Sequence, residues 1–374
     1  MAAKSVDPQA TIIMGGMMHW QDQGFFPQVL QALRADPDAA RYGYFFDGTA
    51  WHWYSRASLV YDKTAWVRAQ LQRSGIGPKR IWITEANLPV CGDEANGGFP
   101  RCEPGRHRGA PAQQAAFVVQ AGAYSVAAAV ERTVFFQFQD DELGPGDYYG
   151  LVRNNGTARP GLTAAQLVAS TFRDVERVQR TVSAGGTVEL ITMYRRDGQR
   201  VMVAWSTNGE PKKVSLPNET LGATLMNAAG QTRALNALGE GFPVDLPAAT
   251  LNDAPPGGPP DFIVGGEPLI VVERGVTYRQ GTLAGTVRDP QGRPLANYPV
   301  RVGPTTATTD AAGRFSVALP PGLYDIELGE RIGYWQAAPV FAVPVRGGAT
   351  VERSVTAKQV NVIRFPLVGK GARP

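Results

Sequence analysis

What the chain has little of narrows its chemistry. Three histidines, His19, His52 and His107, and two cysteines lie too far apart to make a zinc-ligand spacing. There is no G-x-G-x-x-G, no phosphate-cradling loop and no G-x-S-x-G elbow, so the sequence calls for no cofactor. No apolar run approaches the ~20 residues that span a bilayer, and Met1-Ala-Ala-Lys-Ser-Val-Asp lacks the apolar centre of a signal peptide, so nothing in the chain as given exports or anchors it. Charged residues make up only 19%, and the formal excess of +4 is scattered rather than clustered, which leaves nucleic acid without a landing patch.

What is present suffices for several cores. With 374 residues, 43% of them apolar, two or three domains are expected. The 43 glycines and 29 prolines are more than helix-rich chains carry, yet fall below the ~25–30% of low-complexity sequence. Strands and turns should therefore dominate much of the chain. Cys91 and Cys102 lie eleven residues apart in a loop-like stretch across which a disulfide closes easily. A bridge points to an oxidising compartment, with two unpaired cytosolic thiols as the alternative.

Periodicity divides the chain into modules. Over residues 1–172 short apolar runs alternate with amphipathic stretches. The runs are Thr11 to Met14, Gly48 to Tyr54, Arg80 to Glu85 and Thr133 to Phe138; the stretches are Phe25 to Leu33, Thr64 to Leu71, Ala112 to Val130 and Leu162 to Phe172. This rhythm reads as βα units on a parallel sheet. Over 173–276 the helical period vanishes, and short alternating runs such as Thr187 to Tyr194 and Arg200 to Ser206 predict a β-sandwich. A second all-β module is placed at 277–358, with a tail over 359–374.

Within the first module, Ile81-Trp82-Ile83-Thr84-Glu85-Ala86-Asn87, preceded by Trp51-His52-Trp53-Tyr54 and followed by Tyr149-Gly150-Leu151-Val152 and Thr157-Ala158-Arg159-Pro160, resembles the C-terminal half of retaining (β/α)8-barrel glycoside hydrolases. The resemblance implies that Glu85 stands at the nucleophile position, at the end of barrel strand seven, with His52 and Tyr54 on strand six. Counting back, the run at Ile12 to Met14 is strand five, and nothing remains for strands one to four or for the acid/base glutamate. Half a barrel is expected, with two open edges and an exposed, apolar inner face. The opening residues read like a helix in mid-domain, which favours a fragment of a longer retaining glycosidase over completion by a separate N-terminal half or a second copy. Because retaining hydrolysis needs a second carboxyl group about 5–5.5 Å from the nucleophile, the chain alone should turn over weakly or not at all. The alternative is a non-catalytic carbohydrate-binding or cell-surface protein. In either case the partner is an oligo- or polysaccharide.

Around Glu85, a strand-end salt bridge is the competing role. His52 should hydrogen-bond Glu85 or a sugar hydroxyl, and Tyr54 shares its strand face. Asn87 orients substrate or, more simply, shapes the turn before Pro89. Gln137 and Asp140, at the end of the fourth run, are placed at the sugar; Asp140 and Asp141 are the best internal substitutes for the missing acid, with capping of the next loop as the plainer role. Asp93 and Glu94 fall in a Gly-rich loop expected to be a solvated rim. Trp20 is the exposed stacking candidate, Trp66 and Trp82 should fill core, and Trp51 and Trp53 should pack beneath helices. Asn155-Gly156-Thr157 and Asn218-Glu219-Thr220 fit a glycosylation pattern too short to support a claim.

The last module, with Gly285-Thr286-Val287, Asp289 to Gly292, Thr308-Thr309-Asp310-Ala311-Ala312-Gly313-Arg314-Phe315 and Pro320-Pro321-Gly322-Leu323-Tyr324, resembles the carboxypeptidase regulatory-like (transthyretin-like) fold. That resemblance implies a spacer or binding appendage of an extracellular enzyme. The overall class expected is multidomain α/β plus all-β: a half TIM barrel, an accessory β-sandwich and an Ig/transthyretin-like sandwich.

Overall fold

The computed structural model describes residues 2–18, 22–98, 100–103, 107–140, 148–252, 262–331 and 334–359. Trp20, Asp141 and residues 360–374 of the expected tail lie outside the described residues.

A short helix α1 (Ala2–Val6) precedes β1 (Ile13–Met18), α2 (Phe25–Ala35), β2 (Gly48–Trp53), α3 (Leu59–Arg73), β3 (Arg80–Ala86), α4 (Pro111–Ala127), β4 (Arg132–Phe135) and α5 (Pro160–Thr171). The four strands pair in parallel in the order β1-β2-β3-β4. Among the described residues the sheet does not close into a barrel, and β1 and β4 are its edges. Pro111 and Pro160 sit in the first turns of α4 and α5, where a missing N–H costs nothing.

One face of this sheet is core. Trp51, Trp53, Ile81 and Ile83 are buried with Phe26, Leu30, Val67 and Leu71 from the helices. The Trp51 ring stands edge-on to Phe26 at 5.0 Å and stacks on Trp53 at 5.2 Å. The other face corrects two expectations. Trp82 is not core: strand alternation sends Ile81 and Ile83 to the helices and Trp82 to the opposite side. There it lies half-buried beneath the Arg132 guanidinium, 5.0 Å from the ring centre, and its indole N–H donates to Glu131. The open face is also only partly apolar. Exposed Met18 and Val134 share it with Arg132, His52, Tyr54 and Glu85.

Among the described residues from 175 onward, all regular structure is β. The strands β5 (Val175–Ser183), β6 (Val188–Arg195), β7 (Gln199–Ser206), β8 (Lys212–Pro217), β9 (Gly222–Met226), β10 (Thr232–Asn236), β11 (Gly241–Leu246), β12 (Leu251–Asn252), β13 (Phe262–Val264) and β14 (Leu269–Arg274) follow one another. Six form an antiparallel sheet, β10-β9-β14-β7-β6-β5, and β8 pairs with β11 across from it. Every residue of β6 is buried, rather than alternating with solvent. The cause is burial on both faces. Val188 and Leu190 pack toward Leu216, Phe242 and Val244, whereas Ile191 and Met193 join the core under α4.

The remaining strands are β15 (Gly281–Arg288), β16 (Pro299–Val302), β17 (Thr305–Thr308), β18 (Arg314–Leu319), β19 (Gly322–Leu328), β20 (Tyr334–Gln336), β21 (Val340–Val345), β22 (Thr350–Glu352) and β23 (Val355–Gln359). They form two sheets around their own core of Leu283, Val300, Phe315 and Ile326. This module is seated on the preceding one. The Asp325 carboxylate accepts the backbone N–H groups of Ala184 and Gly185 at 2.8 Å, and Leu323 is buried in the other module's core.

Candidate active site

Because β1 to β4 are parallel, their carboxyl ends share one rim, where barrel-type sheets carry chemistry. Glu85 and His52 stand directly opposite each other on β3 and β2 there. Simple alternation from Ile81 and Ile83 would turn Glu85 toward the helices. A register shift prevents this: Trp51 faces Ile83 but His52 faces Glu85, so Thr84 is the extra residue of a bulge. The bulge re-aims Glu85 onto the open face.

Two side chains converge on a single oxygen. Tyr54 donates its hydroxyl to Glu85 Oε2 at 2.7 Å, and His52 Nδ1 lies 3.3 Å from the same atom. Burial, reinforced by the neighbouring Glu85 carboxylate, pushes the Tyr54 hydroxyl far above the usual tyrosine range. Tyr54 therefore remains a proton donor and Glu85 the acceptor. A carboxyl oxygen fixed by that hydrogen bond at the strand rim is positioned for nucleophilic or electrostatic work.

Behind this trio stands an aromatic wall absent from the sequence-based site. Tyr54 meets Tyr149 at 5.2 Å and Phe136 at 6.3 Å between ring centres, and Phe136 meets Tyr149 at 5.9 Å. Tyr149 was visible only as part of a motif, because its approach depends on the loop after β4 folding back. Gly16 on β1 makes room on the other side: a Cβ there would fall inside the His52 imidazole, whereas one at Gly15 would meet nothing. Gly16→Ala should push the ring off Glu85 and slow Glu85-dependent chemistry on the order of 10–100-fold, with Gly15→Ala unchanged; rate constants for the two variants check this.

Other expected site residues have different work. Asn87 is buried; its Nδ2 donates to the Tyr149 carbonyl at 2.8 Å and its Oδ1 accepts the Leu88 N–H, so it builds the turn and does not face substrate. Asp140 has the plainer of its expected roles, capping the loop that follows, and its placement at the sugar is corrected. Its side chain is 2% exposed and bound to Arg159 Nη1 at 2.7 Å and to the Gly150 N–H, which removes it as a sugar contact or spare acid. Gln137 is half-buried beyond β4, its carbonyl taking the Leu151 N–H.

The loop after Glu85 is exposed at Glu94, Ala95, Gly97 and Arg101 to Glu103, as a rim should be, but its start is buried. Cys91 and Cys102 form a disulfide, and Asp93 is buried. Arg153 grips Asp93 with two hydrogen bonds of 2.8 and 2.9 Å, and Arg159 adds a third of 2.8 Å. Burial alone would raise the Asp93 pKa; the two guanidiniums outweigh it and hold the carboxyl below the ordinary range. Arg159, fully buried, thus ties Asp93 to Asp140 and joins the loops after β3 and β4. Glu94 keeps the expected exposure.

Residues 282–358 match the carboxypeptidase regulatory-like domain family. No curated protein matches the chain. Solved structures similar to it include a family 39 glycoside hydrolase from the gut symbiont Bacteroides cellulosilyticus WH2, at a TM-score of 0.48 and 19% identity over 72% of this chain and 52% of that one. A glucosidase from Croceicoccus marinus (TM-score 0.42, 16% identity) covers 73% of this chain and 62% of its own. A GH39 β-xylosidase from Caulobacter crescentus (TM-score 0.43, 16% identity) covers 73% and 59%. The chain thus spans between about half and less than two thirds of these structures' lengths. Among the described residues no helix is long and apolar enough to cross a membrane, and no three His, Cys, Asp or Glu side chains gather as a metal site would need.

Proposed function

We propose that this chain supplies the nucleophile-bearing half of a retaining glycoside hydrolase site acting on an oligo- or polysaccharide, with Glu85 as nucleophile. The observation that carries the reading is the convergence of Tyr54 and His52 on one Glu85 oxygen at the carboxyl rim of a parallel sheet. The motif resemblance around Glu85 supports it, and the exposed patches beside β1 and β4 leave room for a complementary set of βα units or a second copy. Residues 1–172 would be the catalytic half, 173–276 the accessory sandwich and 277–358 an appendage, in a protein working outside the cell, where the Cys91–Cys102 bridge persists.

Asp93 and Asp140 are both committed to arginines, so neither replaces the missing acid/base. That favours slow or absent turnover in the isolated chain, and a non-catalytic glycan-binding role as the second reading. Leaving-group chemistry separates the two. A dinitrophenyl glycoside departs without a proton donor, whereas an alkyl glycoside forgoes general-acid help worth ~10²–10⁴ in rate. The chain alone should release about one equivalent of dinitrophenolate and stall as a Glu85-linked glycosyl ester, because neither Asp93 nor Asp140 is free to activate water for the second step. Mass spectrometry of the peptide bearing Glu85 reads the adduct. Glycan binding with no adduct, across dinitrophenyl glycosides of several sugars, would establish the second reading instead.

A further inference from the structure

A second cleft, remote in sequence from Glu85, lies where the central sandwich meets the C-terminal module. Asn218 and Glu219 from the end of β8, Gly275 to Arg279 from the β14–β15 connection and Arg346 to Ala349 from the β21–β22 turn enclose about 350 Å³, a volume in the range of small-molecule sites. Its walls are polar, and two of its lining residues each carry a buried side-chain atom with no hydrogen-bond partner: Asn218 Oδ1, an acceptor, and Arg346 Nε, a donor. Asn218 is 5% exposed, and its Nδ2 is already spent on the Thr220 carbonyl at 2.9 Å, which fixes Oδ1 as the free end. Buried groups of this kind cost free energy unless something completes them.

The charges bias what that something is. Glu219 faces the cleft, its Oε1 accepting from Arg200 at 2.7 Å and from the Tyr194 hydroxyl at 3.0 Å, and because Arg200 is already paired with Glu273 the Glu219 charge offsets one of the two lining arginines. Arg279 and Arg346 then leave the lining positive. Sulfate would satisfy the arginines and offer Asn218 Oδ1 no proton. A neutral sugar would do the reverse. A ligand with a carboxylate and neighbouring hydroxyls completes both.

We propose that this junction cleft binds a hydroxylated carboxylate, in carbohydrate form a uronic acid unit, with Arg346 and Arg279 on the carboxylate and Asn218 Oδ1 accepting a hydroxyl proton. The site is independent of the Glu85 reading and needs no catalysis. Calorimetric titration of the full chain with D-glucuronate, D-glucose, acetate and sulfate tests it. Glucuronate should saturate at one site, with glucose, acetate and sulfate at least about tenfold weaker, and Arg346→Met should weaken it by about tenfold or more. Arg279→Met, at an exposed side chain, gives the same reading if Arg346→Met fails to fold. Sulfate binding as tightly as glucuronate overturns the hydroxyl contact. Glucuronate binding that both arginine variants leave intact places the ligand elsewhere, and no heat at the solubility limit leaves the cleft to water; either result overturns the proposal.

Discussion

Glu85→Ala is expected to abolish the dinitrophenolate burst, a loss on the order of 10⁴-fold or more, because it removes the atom that forms the bond to the anomeric carbon. Tyr54→Phe should cost much less. It deletes one 2.7 Å hydrogen bond to Glu85 Oε2 but leaves the carboxylate and the 3.3 Å contact with His52 in place. Losing one hydrogen bond to a charged group is worth about 1.5–3 kcal/mol, roughly tenfold to a hundredfold in rate. The ranking separates a nucleophile from a strand-end ion pair. In the ion-pair case Glu85→Ala and Tyr54→Phe would change thermal stability by similar small amounts and the burst, if any, would persist in both. Burst amplitudes and melting curves for the same three proteins decide it.

The elements that follow from local pattern were legible in the sequence, and those set by distant partners were not. Four apolar runs separated by amphipathic stretches gave the parallel sheet, since period 2 and period 3.6 are properties of neighbouring residues. His52 and Tyr54 were assignable to one face for the same reason. Glu85 reached that face through a bulge at Thr84 that alternation could not show; the motif resemblance singled out Glu85 without it. Asp93 and Asp140 were misjudged because their burial depends on Arg153 and Arg159, up to 66 residues away along the chain. A carboxylate followed by Gly-rich sequence looks the same whether it faces water or two guanidiniums. Trp82 was misjudged differently: aromatic bulk suggested core, yet its neighbours Ile81 and Ile83 already fixed it to the other face.

The largest stability effect should come from Arg200, whose partners are likewise distant in sequence. Arg200 and Glu273 are both fully buried and joined by hydrogen bonds from Nε, at 2.7 Å, and from Nη2. Nη2 also donates to the Pro217 carbonyl at 2.6 Å and Nη1 to Glu219. The other Glu273 oxygen accepts the N–H groups of Glu219 and Thr220 and the Thr220 hydroxyl. Burial disfavours the charged guanidinium, but Glu273 outweighs that and raises the Arg200 pKa. Arg200→Met strands Glu273 as an uncompensated buried charge, a change that costs about 3–5 kcal/mol. Arg200→Met with Glu273→Gln should recover at least half of the loss, because Gln keeps an acceptor for the Thr220 groups without the charge. Replacing Glu210 by Ala, which breaks only the exposed pair with Lys212, should change stability by less than about 0.5 kcal/mol. Native-state hydrogen exchange of the β6 and β7 amides reads this module apart from the rest. A single-variant cost below about 1 kcal/mol would mean that water reaches Glu273 once Arg200 is gone, and that the network fixes geometry more than it holds the sandwich together.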